Sequence, residues 1–97
     1  MVIERLMENE KLTLALNGRL DTTTASLVED EIQALPIEVK NVVLDLANLE
    51  YVSSAGLRVI LKLKKVMDRI GSLQVINVNE LVLEVFEITG FADILGL

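Results

Sequence analysis

Asp45-Leu46-Ala47-Asn48-Leu49-Glu50-Tyr51-Val52-Ser53-Ser54-Ala55-Gly56-Leu57-Arg58 is where the chain passes from a strand pattern to a helix pattern. Upstream, Asn41 to Leu46 is apolar and β-branched, and reads as a central strand buried on both faces. Downstream, Leu57 to Ile70 forms the clearest helix. Leu57, Ile60, Leu61, Met67 and Ile70 make its core face, and Gly71 is its expected C-terminal stop. The corner between them holds Ser53, Ser54 and Gly56. Backbone N–H groups converge at a helix start, and its dipole favours negative charge, so the corner suits a phosphate. Serine there has a second reading as an N-cap, worth about 1 kcal/mol.

Outward from this corner the chain alternates between strands and helices. Residues 2–6 and 12–17 read as two short strands, with Leu12, Leu14 and Leu16 alternating with smaller or polar neighbours. The polar link Met7 to Lys11 suggests a hairpin. Gly18-Arg19-Leu20-Asp21 leads into a threonine run, where Asp21 and Thr22 to Thr24 are N-cap candidates. A helix is expected from Thr24 to Leu35, with Leu27, Val28, Ile32 and Leu35 on one face and Pro36 as its end. Leu73 to Val78 reads as a further strand. Asn79 caps an expected helix to Thr89, with Leu81, Val82, Val85, Phe86 and Ile88 apolar and Gly90 closing it. The tail Phe91 to Leu97 reads as a turn or a strand stub. The order β-β-α-β-α-β-α predicts an α/β fold with a mixed sheet of four to five strands, as one domain over residues 1–97.

Composition narrows the function. Hydrophobic residues are 52 % of the 97 and aromatics 3 %, so the core is expected to be aliphatic. With no cysteine there is no disulfide framework and no thiol chemistry, which suits a reducing cytoplasm. With no histidine, a catalytic triad or a typical zinc site is not expected. A net charge of −6 argues against direct nucleic-acid binding. The apolar runs fall well short of the roughly 20 residues that cross a bilayer, so no membrane insertion is expected. The start Met1-Val2-Ile3-Glu4-Arg5 lacks a signal-peptide pattern. A cytoplasmic protein with no cofactor and no metal is the expectation.

Over nearly its whole length the chain resembles the STAS domain, in particular the free-standing bacterial anti-sigma factor antagonists. Val43-Leu44-Asp45-Leu46 and Tyr51-Val52-Ser53-Ser54-Ala55-Gly56-Leu57, with the helix behind them, are similar to the family's signature. Gly18-Arg19-Leu20-Asp21 and Phe86-Glu87-Ile88-Thr89-Gly90-Phe91 are similar to its outer motifs. The family's phosphorylated serine lies two residues before the glycine, which here is Ser54. The resemblance implies a partner, an anti-sigma factor that is also a serine kinase and uses ATP and Mg²⁺. It also implies a metal-dependent serine phosphatase that reverses the mark. The unmodified protein would hold the kinase and release the sigma factor. Many members carry aspartate where this chain has Ser53, so one charge is lost and one hydroxyl gained. A C-terminal helix present in some members is not expected here.

The surface implied for the partner comprises Asp21, Thr22, Thr23, Ser53, Ser54, Ala55, Gly56, Leu57 and Arg58. Asp21 reads either as a cap for the next helix or as a partner-facing carboxylate. Asp45 reads as structural. Arg58, Lys62, Lys65 and Arg69 share one helix face, and with Lys64 this helix holds five of the nine Lys and Arg residues. That face is either simply solvated or a docking edge for an acidic partner, with Arg58 closest to Ser54. Two other classes of function compete. A STAS subunit of a stress-signalling scaffold or of a lipid or anion transporter would use the same surface. An enzyme with Ser54 as nucleophile is disfavoured: Val52-Ser53-Ser54-Ala55-Gly56 lacks the first glycine of G-x-S-x-G, and no histidine is present to activate the hydroxyl.

Overall fold

The computed structural model describes residues 1–97. A hairpin of β1 (Val2–Glu8) and β2 (Lys11–Leu20) is followed by α1 (Ala25–Gln33) and β3 (Asn41–Asp45). Then come β4 (Leu49–Val52), α2 (Ser54–Ile70), β5 (Ser72–Ile76), α3 (Glu80–Thr89) and α4 (Phe91–Ile94). The expected order is present, with β4 and α4 as short additions. The sheet is mixed and five-stranded: β1 runs antiparallel to β2, and β2, β3 and β5 are parallel in the order β1-β2-β3-β5. β4 pairs in parallel with the C-terminal end of β2.

β2 organises this sheet. Its Lys11–Ala15 half pairs with β3 and its Gly18–Leu20 end pairs with β4, while β1 covers the other edge. Leu12, Leu14, Leu16 and Leu20 are buried in the aliphatic core, as their period of two requires. In β3, consecutive Val42, Val43 and Leu44 are all buried, the mark of a strand covered on both faces. β1 and β2 are longer than the sequence pattern suggests, whereas β3 ends at Asp45 and β5 at Ile76, short of the expected Leu46 and Val78. The hairpin link shrinks to Asn9 and Glu10, because Asn9 takes a left-handed φ of 56° that asparagine tolerates.

Helix periodicity finds the core faces but not their limits, and on α2 it misses two core residues. On α1, Val28 and Ile32 are buried whereas Leu27 is exposed. On α2, Leu57, Ile60 and Met67 are buried along with Val59 and Leu63, Leu61 is half-buried, and Ile70 is exposed at the last turn. On α3, Val82 and Phe86 are buried, whereas Leu81 and Ile88 stand in solvent. The tail is a short helix rather than a turn or strand stub. Ala92 and Leu95 join the core cluster from it.

Gly71 ends α2 for a reason of space. Its φ of 174° is ordinary extended backbone. A Cβ built there would lie 1.6 Å from the Lys40 carbonyl oxygen, which accepts the Ser72 N–H at 2.9 Å. Only a residue without a side chain lets α2 turn into β5 against that backbone. Gly71→Ala is expected to cost 2 kcal/mol or more, at the upper end of the ~1–3 kcal/mol usual for overpacking. Urea unfolding will read this as a lower midpoint with an unchanged slope.

Candidate functional site

The site forms where β2 and β4 end together. Leu20 pairs with Val52 in register, and the Ser53 N–H donates to the Leu20 carbonyl at 2.9 Å. The chain segments that follow, Asp21-Thr22-Thr23 and Ser53-Ser54-Ala55, therefore leave the sheet side by side. Two corners far apart in sequence become one surface.

The serines have different tasks. Ser53 is extended, at φ −93° and ψ 176°, and its Oγ accepts the Gly56 N–H at 3.3 Å, so it is the N-cap of α2. Its own carbonyl accepts the Leu57 N–H at 2.9 Å. Ser54 is the first helical residue and is exposed. The cap is already supplied by its neighbour, which leaves the Ser54 hydroxyl in solvent without an intramolecular hydrogen bond. The Ser54 and Ala55 N–H groups open the helix, with no helical carbonyl four residues back to accept them. An added phosphate here meets the positive end of a 17-residue helix.

Gly56 and Leu57 are buried, so they seat the corner and offer no side-chain surface themselves. A Cβ on Gly56 would lie 2.8 Å from both the Leu20 carbonyl oxygen and Leu20 Cγ, and 2.9 Å from Val52 Cγ2. The first turn of α2 is thus pressed directly onto the β2–β4 seam.

Asp21 builds its own corner. Its Oδ1 accepts from the Thr23 hydroxyl at 2.8 Å, the Thr23 N–H at 3.1 Å and the Thr24 N–H at 3.2 Å. The Asp21 N–H in return donates to Thr24 Oγ1 at 2.9 Å, and that hydroxyl donates to the Arg19 carbonyl at 2.8 Å. Thr24 is the residue before α1 but makes no side-chain cap bond of its own; Asp21 holds the turn instead. The Thr23 hydroxyl holds the Asp21 carboxyl below its ordinary range; partial desolvation opposes this, and bonds from Thr24 and the backbone add to it. Asp45 is structural: its Oδ1 accepts the Ala47 N–H at 3.0 Å and the Asn77 side-chain amide at 3.2 Å, tying the ends of β3 and β5 together.

Arg58 is exposed on α2, one turn beyond Ser54. It lines a shallow groove of about 260 Å³ with Ala25, Ser26, Glu29, Ala55 and Lys62. Glu29 of α1 is already paired with Lys62, and Lys64 pairs with Asp68 at 2.6 Å. Arg58, Lys65 and Arg69 are the exposed cations of this helix with no carboxylate at ion-pair distance. Two neighbours of the corner are not evident in the sequence. Arg19 lies 4.2 Å above the Tyr51 ring and 3.7 Å from the Asp21 carboxylate. They meet because Arg19 and Tyr51 are register partners across β2 and β4. No helix of the chain is long and apolar enough to cross a membrane.

The sequence profile of the family described as Mlab, STAS domain, matches residues 4–96. BtrV of Bordetella bronchiseptica, named as an anti-sigma factor antagonist, is 40% identical over 85 residues, which cover 86% of this chain and 73% of BtrV. Among solved structures, the unphosphorylated form of the anti-sigma factor antagonist SpoIIAA, a Bacillus protein, superposes with a TM-score of 0.81 at 19% identity, over 95% of this chain and 84% of that one. An anti-sigma factor antagonist from Mycobacterium paratuberculosis gives 0.83 at 18% identity, over 95% and 80% of the two chains. At such identities the two structures show a shared fold.

Two outcomes follow from the geometry of the corner. Ser53→Ala, which removes the cap, is expected to cost about 1 kcal/mol, whereas Ser54→Ala should stay within about 0.5 kcal/mol, as for an exposed residue. Thermal unfolding of the two variants will separate them. Asp21 has a lowered folded-state pKa, so its contribution to stability is present above the ordinary carboxyl value of 3.8 and is lost as pH falls through the lower folded value. Asp21→Asn should flatten the fall in melting temperature below about pH 4.

Proposed function

The chain belongs to the STAS domain family, and from that premise we propose that it is an anti-sigma factor antagonist switched by phosphorylation of Ser54. The observation that carries this reading is the division of work at the corner. Ser53 caps α2, and Ser54 presents a free hydroxyl at the helix start. Ser54 serves neither the cap nor the core, so its hydroxyl is open to a kinase.

In the unmodified state the protein binds an anti-sigma factor that is also a serine kinase, and the sigma factor is freed. The contact runs over Asp21, Thr22 and Thr23 on one side and Ser53, Ser54, Ala55 and Arg58 on the other. Gly56 and Leu57 support it from below. The kinase supplies ATP and Mg²⁺. Ser54 Oγ attacks the γ-phosphorus, the bond to the β–γ bridging oxygen breaks, ADP leaves, and the hydroxyl proton passes to a base of the kinase. A metal-dependent serine phosphatase hydrolyses the phosphoserine and returns inorganic phosphate. The chain is the substrate of both steps and catalyses neither.

Phosphorylation adds about −1.5 to −2 charges at an exposed helix start. The free protein tolerates this, because the helix dipole favours it. At a closed interface the same group must be desolvated. A penalty of ~3 kcal/mol weakens binding about a hundredfold. No change of fold is needed.

Incubation with native-host extract and MgATP, followed by intact mass, tests the proposal. One phosphate is expected on the wild type and none on Ser54→Ala. No added phosphate, with phosphatases inhibited and an active kinase shown to be present, moves the reading to an unphosphorylated scaffold or transporter subunit. With the kinase purified, Ser54→Asp is expected to bind it at least tenfold more weakly than the wild type by calorimetry.

A further inference from the structure

The sequence places every cation of the chain outside two long segments. Residues 41–57 and 70–97 contain neither lysine nor arginine, yet hold Asp45, Glu50, Glu80, Glu84, Glu87 and Asp93. In the fold these segments meet: Asn79, the N-cap of α3, donates its side-chain amide to the Leu49 carbonyl at 2.6 Å. Where they meet, Glu50 of β4 and Glu80 of α3 line one open groove to which no cation contributes.

The same region exposes apolar side chains. On α3, Leu81 is 63% and Ile88 77% exposed, with half-buried Val85 between them. Positions 81, 85 and 88 are spaced four and three apart, so they form one stripe along the helix. Glu80, Glu84 and Glu87 have the same spacing one residue earlier and form a parallel acidic row along its edge; all three are exposed. At the N-terminal end of the stripe an open groove of about 560 Å³ is lined by Leu81, Glu80, Glu50, Leu49, Asn48 and Ala47. The neighbouring face of α3 is spent on the core through Val82 and Phe86, and the glutamate row lies opposite that core face.

We propose that this face of α3 is a docking surface for a basic amphipathic helix of a partner protein. The apolar side of that helix covers Leu81, Val85 and Ile88, its lysines or arginines lie along Glu80, Glu84 and Glu87, and one apolar anchor enters the groove beside Leu81. Charge complementarity selects this occupant. A second copy packed α3 on α3 would bring glutamate row against glutamate row, and its basic helix α2 already has its apolar face buried in its own core. An anionic bilayer would meet the same row and be repelled. A helix laid in a groove by apolar anchors at these spacings is a general mode of peptide recognition. Ser54 takes no part in this surface, so the proposal stands or falls apart from the phosphorylation reading.

The test titrates the full ¹⁵N-labelled chain with a 14-residue helical peptide of leucine and lysine in amphipathic order, followed by NMR. A second peptide carries glutamate in place of every lysine. The lysine peptide is expected to shift the amides of residues 47–50 and 79–89 and to saturate, and the glutamate peptide to do neither. The double variant Leu81→Ser with Ile88→Ser, both exposed positions, should bind at least tenfold more weakly with its melting temperature retained. Ser54→Ala should bind as the wild type does. Shifts centred on α2 or elsewhere, equal binding by the double variant, or no binding by either peptide would overturn the proposal. So would a concentration-dependent dimer in sedimentation that the double variant abolishes, which would assign the face to a second copy of the chain.

Discussion

The bond from the Ser53 N–H to the Leu20 carbonyl, 2.9 Å long, is the joint on which the site depends. It closes the parallel pairing of β2 and β4 at the point where both strands end. Gly56 then lets the first turn of α2 lie against that joint, where any Cβ would meet Leu20 and Val52 at under 3 Å. Strand ends, helix start and glycine together hold the Asp21 corner and the serine corner side by side. The surface is set by backbone contacts, and its side chains can carry function without also carrying the geometry.

That division is clearest in the paired serines. The capping bond is a short-range need that one hydroxyl satisfies, and Ser53 satisfies it because its backbone is extended while its neighbour is already helical. A second hydroxyl one residue on projects from the helix start into water. Asp21 shows the same economy on the facing corner. Its carboxylate gathers the donors of Thr23 and Thr24 and shapes the turn into α1, while its other oxygen lies near Arg19. Structural and exposed roles share one residue there and are split between two at the serines.

Much of this was legible in the sequence, and the exceptions have physical causes. β3 and α2 announce themselves because a doubly buried strand and a long amphipathic helix each impose a strong pattern. β4 does not. The register shifts between Gly18 and Arg19, so Glu50 is an extra residue opposite β2, and both Glu50 and Tyr51 face out between buried Leu49 and Val52. A bulge of this kind destroys the period of two by which a strand is recognised. Losing β4 also hides the contact of Arg19 with Tyr51, which exists only through that pairing. α4 is four residues long, too short to display a helical period. Leu81 and Ile88 look like core residues because α3 is apolar around most of its circumference, and only the packing decides which side is covered. The corner motif itself was legible, but its two serines are equally good caps on paper, and the backbone at Ser53 assigns the task.

The uneven placement of charge has a consequence beyond either surface taken alone. With net charge −6, the chain gathers five of its nine cations on α2 and leaves residues 70–97 with none. Such a separation makes the molecule a permanent dipole, and its field acts over roughly one Debye length, about 8 Å at physiological salt. An approaching acidic surface is turned toward one end and an approaching basic one toward the other before any contact forms. The orientation of each encounter is thereby biased in solution, and the bias fades as ionic strength rises.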